Sequence, residues 1–268
     1  MIDIGVITGS GIYELPGGPE PRAVETRFGE ARVAVSEVGP WTVGSVSRHG
    51  KGHRHLPHTV PHRANLAALE KLGARAVLAT TAVGAVDPEL PLGRPVLFDD
   101  LFFPENRLPD GGACTMFPEP GEPDRGHLIQ TEPFGPRLRR GVERAAATLG
   151  LEVTAGGVYG HVNGPRFNTA AEIRHLATAG VSAVSQTCGP EAVLAGELEL
   201  PYCLVGFPVN LALGGGESEA ELGRLLALSA KVLPELILAT VEELWEEDLA
   251  SDHGYVYRVE GGIGRREG

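Results

Sequence analysis

From residue 61 to residue 244 the chain alternates between apolar runs too short to be helices and longer segments with apolar residues at helical spacing. Residues 76–81 (AVLATT), 95–98, 182–184 and 202–207 read as buried strands. The segment 61–72 reads as a helix: Leu66, Leu69 and Leu72 share a face, Pro61 suits the first turn and Gly73 follows the end. Residues 134–149, 170–179, 191–199 and 218–244 read the same way. The last opens on Glu217-Ser218-Glu219, which complements the positive end of the helix dipole. Such alternation calls for an α/β sheet covered by helices on both faces. Upstream, 2–7 reads as a strand running into Thr8-Gly9-Ser10-Gly11. Segments 32–38 and 43–47 form a hairpin turned at Gly39-Pro40, and 151–159 is a further strand. Residues 104–133, rich in Pro, Gly and charge, read as a long functional loop, and the tail from Gly261 as mobile. No repeat, low-complexity linker or composition break divides residues 1–268, so a single domain is expected.

The formal charge of −12 argues against nucleic acid and anionic membrane as partners. No apolar run reaches the roughly 20 residues of a membrane span, and the first residues lack a cationic lead or cleavage pattern. Cys114, Cys188 and Cys203 are odd in number and widely spaced. They suggest neither a disulfide framework nor a metal clamp, so a cytoplasmic setting is expected.

Against that acidic background stands a cationic knot: Arg48, His49, Lys51, His53, Arg54 and His55, with Gly50 and Gly52 between them. Self-repulsion makes it costly unless an anion sits there, and phosphate is the first candidate. Thr8-Gly9-Ser10-Gly11 is either an anion cradle or a plain tight turn. Glu14 occupies the place of the third glycine of a dinucleotide fingerprint, and no Gly-Lys-Ser/Thr follows, so both nucleotide-loop readings fail. Thr80 and Thr81 end a buried strand, where α/β proteins bind ligands, or are simply β-branched strand residues. Arg166 and Phe167 in a Gly-Pro turn either clamp a planar charged ligand or belong to a surface loop. Asn210, after strand 202–207, either reads a heterocycle edge or ends a strand. His58 and His62 have the spacing of zinc ligands. Without an HExxH motif, a carboxylate partner or a nearby Cys, no metal site is expected.

Taken in order, IGVITGSGIYE, SRHGKGH with Pro57 and Asn65 downstream, ATTAVGAV, GHVNGPRF, SQTCGPEAVLAGE and the strand ending at Asn210 resemble the 5′-methylthionucleoside phosphorylases. These form a branch of the trimeric purine nucleoside phosphorylase family. The resemblance spans residues 4–210. It implies one α/β domain around a distorted mixed sheet flanked by helices. It also implies a homotrimer, or a hexamer built from two such rings, and reversible phosphorolysis of a nucleoside to a purine and a sugar 1-phosphate. Inorganic phosphate is then the co-substrate and no cofactor is needed. By match to the family's motifs, Ser10, Arg48, His49, Thr81 and Thr187 are phosphate ligands. Ala82 and Gln186 line base and ribose, Phe167 packs on the base, and Asn210 reads the purine N7 and 6-substituent edge. His127 is lent to the neighbouring protomer's 5′ pocket. Arg48, Thr187 and Asn210 are the residues expected to carry catalysis.

Two departures bear on substrate. Adenine-selective members carry Asp at the positions of Asn210 and Ala212. An Asn donates to O6 and accepts from N7–H or N1–H, which favours 6-oxopurines. Members acting on 5′-hydroxyl nucleosides place a His early in the last long helix, where this chain has Leu222, Leu225 and Leu226. An apolar wall suits a methylthio group. Together they point to 5′-methylthioinosine. Methylthioadenosine, inosine or guanosine, and a non-catalytic nucleoside-binding role are the alternatives.

Overall fold

The computed structural model describes residues 1–213, 218–260 and 263–265. In chain order the strands are β1 (Ile4–Thr8), β2 (Arg22–Thr26), β3 (Gly29–Val38), β4 (Trp41–Ser47), β5 (Ala76–Ala85), β6 (Val96–Leu97), β7 (Asp100–Phe102), β8 (Gly126–Gln130), β9 (Thr154–Ala155), β10 (Val158–His161), β11 (Val181–Ser185), β12 (Tyr202–Leu211), β13 (Gly254–Glu260) and β14 (Ile263–Arg265). The helices are α1 (His62–Leu72), α2 (Pro136–Leu149), α3 (Ala170–Thr178), α4 (Cys188–Glu197) and α5 (Glu219–Glu243).

Eleven strands form one mixed sheet, ordered β2-β3-β4-β1-β5-β11-β10-β7, with β12, β6 and β9 branching from the far edge of β5. The central strands are apolar on both faces, and the faces separate by parity. Val77, Ala79, Val83 and Ala85 of β5 join the core beneath α1 and α4. Ala76 and Leu78 join the one beneath α2 and α5, with Cys203, Val205 and Phe207 of β12. That is why these strands read as unbroken apolar runs. A smaller cluster under α3 joins Ile173 and Leu176 to Val86, Val181 and Val184.

Several sequence expectations need correction. The strand expected over 151–159 breaks into β9 and β10, because Gly156 and Gly157 both adopt positive φ (81° and 128°). The loop expected over 104–133 contains β8, which pairs with β13 near the other end of the chain, a partner no local pattern announces. β5 runs on to Ala85 and β12 to Leu211, so Asn210 lies within a strand rather than after it. α4 begins at Cys188, because Pro190 is tolerated in a first turn. β2 was not anticipated. Within the tail, 263–265 pair with β13. The remainder of the tail, and Glu217, lie outside the described residues. No helix among the described residues is long and apolar enough to cross a membrane.

Candidate functional site

The sheet opens where β5 changes partners. β1 accompanies β5 only from Ala76 to Ala79. β11 joins the same edge, antiparallel, at Gly84 and Ala85. Residues 80–83 therefore lack a strand neighbour on that side, and their polar groups must find other partners. Arg48, at the end of β4, supplies one: its Nη1 donates to the Thr80 carbonyl at 2.9 Å. Gly9, just past β1, donates its N–H to the Thr80 hydroxyl at 3.2 Å. A Cβ on Gly9 would lie 2.7 Å from the Thr80 carbonyl oxygen and 3.1 Å from Arg48 Nη1, so only glycine allows this approach. Half-buried Ser10 follows in the turn closed by the Ile12 N–H to the Gly9 carbonyl.

Arg48 is 1% exposed, and its charge is met from α4. Nε donates to Glu191 Oε1 at 2.5 Å and Nη2 to Oε2 at 2.7 Å, a bidentate pair. Tyr202 donates to Oε2 at 2.9 Å, and buried His62 lies 3.6 Å from Oε1. Burial alone would raise the Glu191 pKa. The Arg48 charge and its hydrogen bonds outweigh that and hold the carboxyl well below its usual range. A hydroxyl chain completes the floor. Thr81 Oγ1 is 3.2 Å from Ser185 Oγ, which is 2.7 Å from the Tyr159 hydroxyl. Tyr159 accepts from the Cys188 N–H at 3.1 Å. Thr187, buried, is the residue just before the first turn of α4 and reaches the Cys188 thiol. Gly9 and Arg48 thus meet the strand at Thr80, Ser10 is the next residue of the turn, and Thr81 is linked to the Thr187-Cys188 pair through Ser185 and Tyr159.

The cationic knot divides. Arg48 and His49 turn inward. Lys51 and Arg54 are exposed, Lys51 facing Glu14 at 3.5 Å. His49 holds the His55 carbonyl through Nδ1 at 2.7 Å and stacks on His53 at 4.2 Å. Burial, reinforced by Arg48, lowers its pKa to about 4, so it is neutral near pH 7. The anion that the knot's charge demanded is, in part, the protein's own Glu191. The zinc-like spacing does not make a pair: His58 is exposed in a 3-10 turn, while His62 is buried at the start of α1.

Past the gap, β12 bulges between Pro208 and Asn210, setting Asn210 opposite Gly84. Its Nδ2 donates to the Leu211 carbonyl at 2.9 Å, which fixes the amide's plane. Ala212 lies against Gly84, where a Cβ would be 3.2 Å from its own. Half-buried Ala82 pairs with Phe207. Phe167 is 88% exposed at the rim. Of the two readings of this turn, the surface loop fits what Arg166 does: it turns to Glu172 of α3, with bonds of 2.6 and 2.9 Å. Gln186 Nε2 donates to the Arg166 carbonyl at 2.8 Å and packs under Gly164, so its side chain is committed to the rim loop.

Gly11 packs against Ala230 of α5. Leu226 and Leu222, one and two turns earlier, continue that face as partly buried apolar residues. His127 is not brought to this cluster. It is exposed on β8, opposite Tyr257, in the separate three-stranded sheet.

Sequence reasoning missed Glu191, Tyr202 and Ser185. Only Glu191 left a signal: a carboxylate inside the otherwise apolar helix stretch PEAVLAG.

The phosphorylase superfamily model matches residues 3–242. The 6-oxopurine nucleoside phosphorylase of Pyrococcus furiosus is 36% identical over 90% of this chain and 92% of that protein. The probable S-methyl-5′-thioinosine phosphorylase of Methanopyrus kandleri is 37% identical (88% and 90% covered). The S-methyl-5′-thioadenosine phosphorylase of Mycobacterium tuberculosis is 36% identical (91% and 90%). Among solved structures, methylthioadenosine phosphorylase from Schistosoma mansoni in complex with tubercidin superposes with TM-score 0.80 at 25% identity, covering 93% of this chain and 95% of that one.

Proposed function

The chain belongs to the phosphorylase superfamily, and from that premise we propose that it is a purine nucleoside phosphorylase of the methylthionucleoside type, with 5′-methylthioinosine preferred. The observation that supports this reading is the meeting of Gly9 and Arg48 at Thr80, beside the opening along residues 80–83, with Thr81 linked to the start of α4 through Ser185 and Tyr159.

Inorganic phosphate is the co-substrate, held by the hydroxyls of Ser10, Thr81 and Thr187, by Arg48 and by neutral His49. Donors fixed in place before the reaction are what an in-line attack on C1′ requires, because the transition state resembles a ribosyl oxocarbenium ion and tolerates little misalignment. The departing purine gains negative charge. Asn210 meets it at N7 and the 6-substituent, and Phe167 covers its face. Ala82 and Gln186 line the base and ribose. Since the Gln186 side chain holds the Arg166 carbonyl, its contact to the sugar comes from the main chain. Leu222 and Leu226 wall the 5′ pocket, with His127 supplied by a neighbouring protomer of a homotrimer. The setting is cytoplasmic.

The base preference rests on Asn210 and Ala212 standing where a carboxylate pair would favour a 6-amino group. An unmade hydrogen bond there costs about 1–3 kcal/mol, enough for tenfold selectivity or more. The test is chromatographic release of free base from methylthioinosine, methylthioadenosine and inosine, with and without phosphate. Phosphate-dependent release with the highest kcat/KM for methylthioinosine is expected. Equal or better use of methylthioadenosine refutes the Asn210 argument, and binding without phosphate-dependent release refutes the enzyme.

A further inference from the structure

Arg48 has five N–H groups in a planar fork. Three are engaged within the protein: Nε and one on Nη2 with Glu191, and one on Nη1 with the Thr80 carbonyl. Among the described residues the other two N–H groups, one on each terminal nitrogen, are left over, and Nη1 lies beside Gly9. Glu191 therefore fixes the plane of the guanidinium, and the terminal nitrogens keep N–H groups that an oxyanion could take. Glu191 is itself immobilised by the Tyr202 hydroxyl at 2.9 Å and by burial in the first turn of α4.

The same pairing removes the site's charge. Arg48 and Glu191 sum to zero, the other proposed ligands are hydroxyls and the neutral His49, and Lys51 and Arg54 are turned to solvent. An oxyanion bound here meets directed hydrogen bonds rather than a bare cation. We propose that Glu191 is a positioning residue and counter-charge for the oxyanion subsite: it aims Arg48 and offsets its charge, so that the anion is gripped in one orientation yet released after turnover. This rests on the phosphorylase reading for the identity of the anion.

A carboxylate that merely supports the fold and one that tempers the subsite make opposite predictions. Glu191→Gln keeps the shape and leaves a buried guanidinium without a counter-charge, a state that an incoming anion relieves. Phosphate binding is measured calorimetrically on the full chain, with steady-state kinetics alongside. In Glu191→Gln the phosphate dissociation constant is expected to fall at least tenfold. At saturating phosphate, kcat is expected to fall and the nucleoside KM to stay within about threefold. Glu191→Asp, which keeps the charge, is expected to stay within about threefold of wild type for phosphate. Unchanged or weaker phosphate binding in Glu191→Gln overturns the proposal, as does equal tightening in Glu191→Asp.

Should Glu191→Gln fail to fold, the wild-type protein decides. An uncharged subsite predicts phosphate affinity constant within about twofold between 20 and 300 mM KCl. A loss of fivefold or more overturns the counter-charge. Failure of wild type to release base with phosphate refutes the phosphorylase reading separately, since the binding measurements do not need turnover.

Discussion

Removing the Arg48 guanidinium while keeping Glu191 isolates the energetic core of the site. Arg48→Met retains most of the side chain's apolar volume and deletes three hydrogen bonds: two to Glu191, at 2.5 and 2.7 Å, and one to the Thr80 carbonyl. Both partners are fully enclosed. Glu191 keeps the Tyr202 hydroxyl, but its charge loses its compensation. A buried pair broken on one side costs about 3–5 kcal/mol. At about 2–4 °C per kcal/mol for a chain near this size, the melting temperature should drop on the order of 10 °C.

Removing both charges tests the cause. Arg48→Met with Glu191→Met leaves no uncompensated ion, and buried pairs replaced by apolar groups are often neutral or stabilising. The double variant should therefore recover more than half of the loss, giving a coupling well above 1 kcal/mol in a double-mutant cycle. The pH dependence has a definite sign. In wild type the Glu191 carboxyl is held below its unfolded value of about 4.3. Its contribution is thus fully present above that pH and is lost as pH falls through the folded value. In Arg48→Met, burial without the cation raises the carboxyl's pKa, so protonation on acidification relieves the penalty. The stability gap should be widest near pH 7, narrow towards pH 4 as the variant's carboxyl takes up its proton, and close only below the folded value of the wild-type carboxyl. Urea unfolding at pH 7 and pH 4 measures both quantities. A single variant as stable as wild type, or a double variant no better than the single, refutes the reasoning.

Three further outcomes are expected. Gly9→Ala places a Cβ 2.7 Å from the Thr80 carbonyl oxygen. The turn must withdraw at a cost of about 1–3 kcal/mol, and the phosphate KM should rise at least tenfold while the nucleoside KM changes little; equal changes in both would contradict the placement of the turn. Asn210→Asp should lower the methylthioinosine-to-methylthioadenosine ratio of kcat/KM at least tenfold, read by the same chromatographic assay; no change in the ratio removes Asn210 from base selection. Phe167→Ala should leave stability within about 0.5 kcal/mol, because the ring is 88% exposed. It should raise the nucleoside KM several-fold, with the phosphate KM unchanged, in initial-rate kinetics.

Much of the α/β layout was legible because its signals are local. α1 shows this: Pro61 before it, Gly73 in the left-handed conformation after it, and one apolar face beneath. β5 and β12 were recognisable as buried runs, but their ends were not. Polar residues such as Thr80, Thr81 and Asn210 stay in strand conformation because neighbouring chain satisfies them, and a sequence does not display that neighbour. β8 was hidden for the same reason, its partner lying more than a hundred residues away. Arg166 stays open between clamp and surface loop at the level of sequence, because only the fold shows that Glu172, six residues on, is its partner.

By itself the sequence determined the alternation of elements, the two-sided burial of the central strands and the residue types available for oxyanion chemistry. These follow from periodicity, turn residues and composition, which act over a few residues. Tertiary structure alone decided which two of six basic residues face inward, that Glu191 meets Arg48, and that β5 lies open between β1 and β11. Arg48 and Glu191 are separated by 143 positions along the chain. Their pairing exists only because the sheet brings the end of β4 beside the first turn of α4, and burial then makes each charge depend on the other.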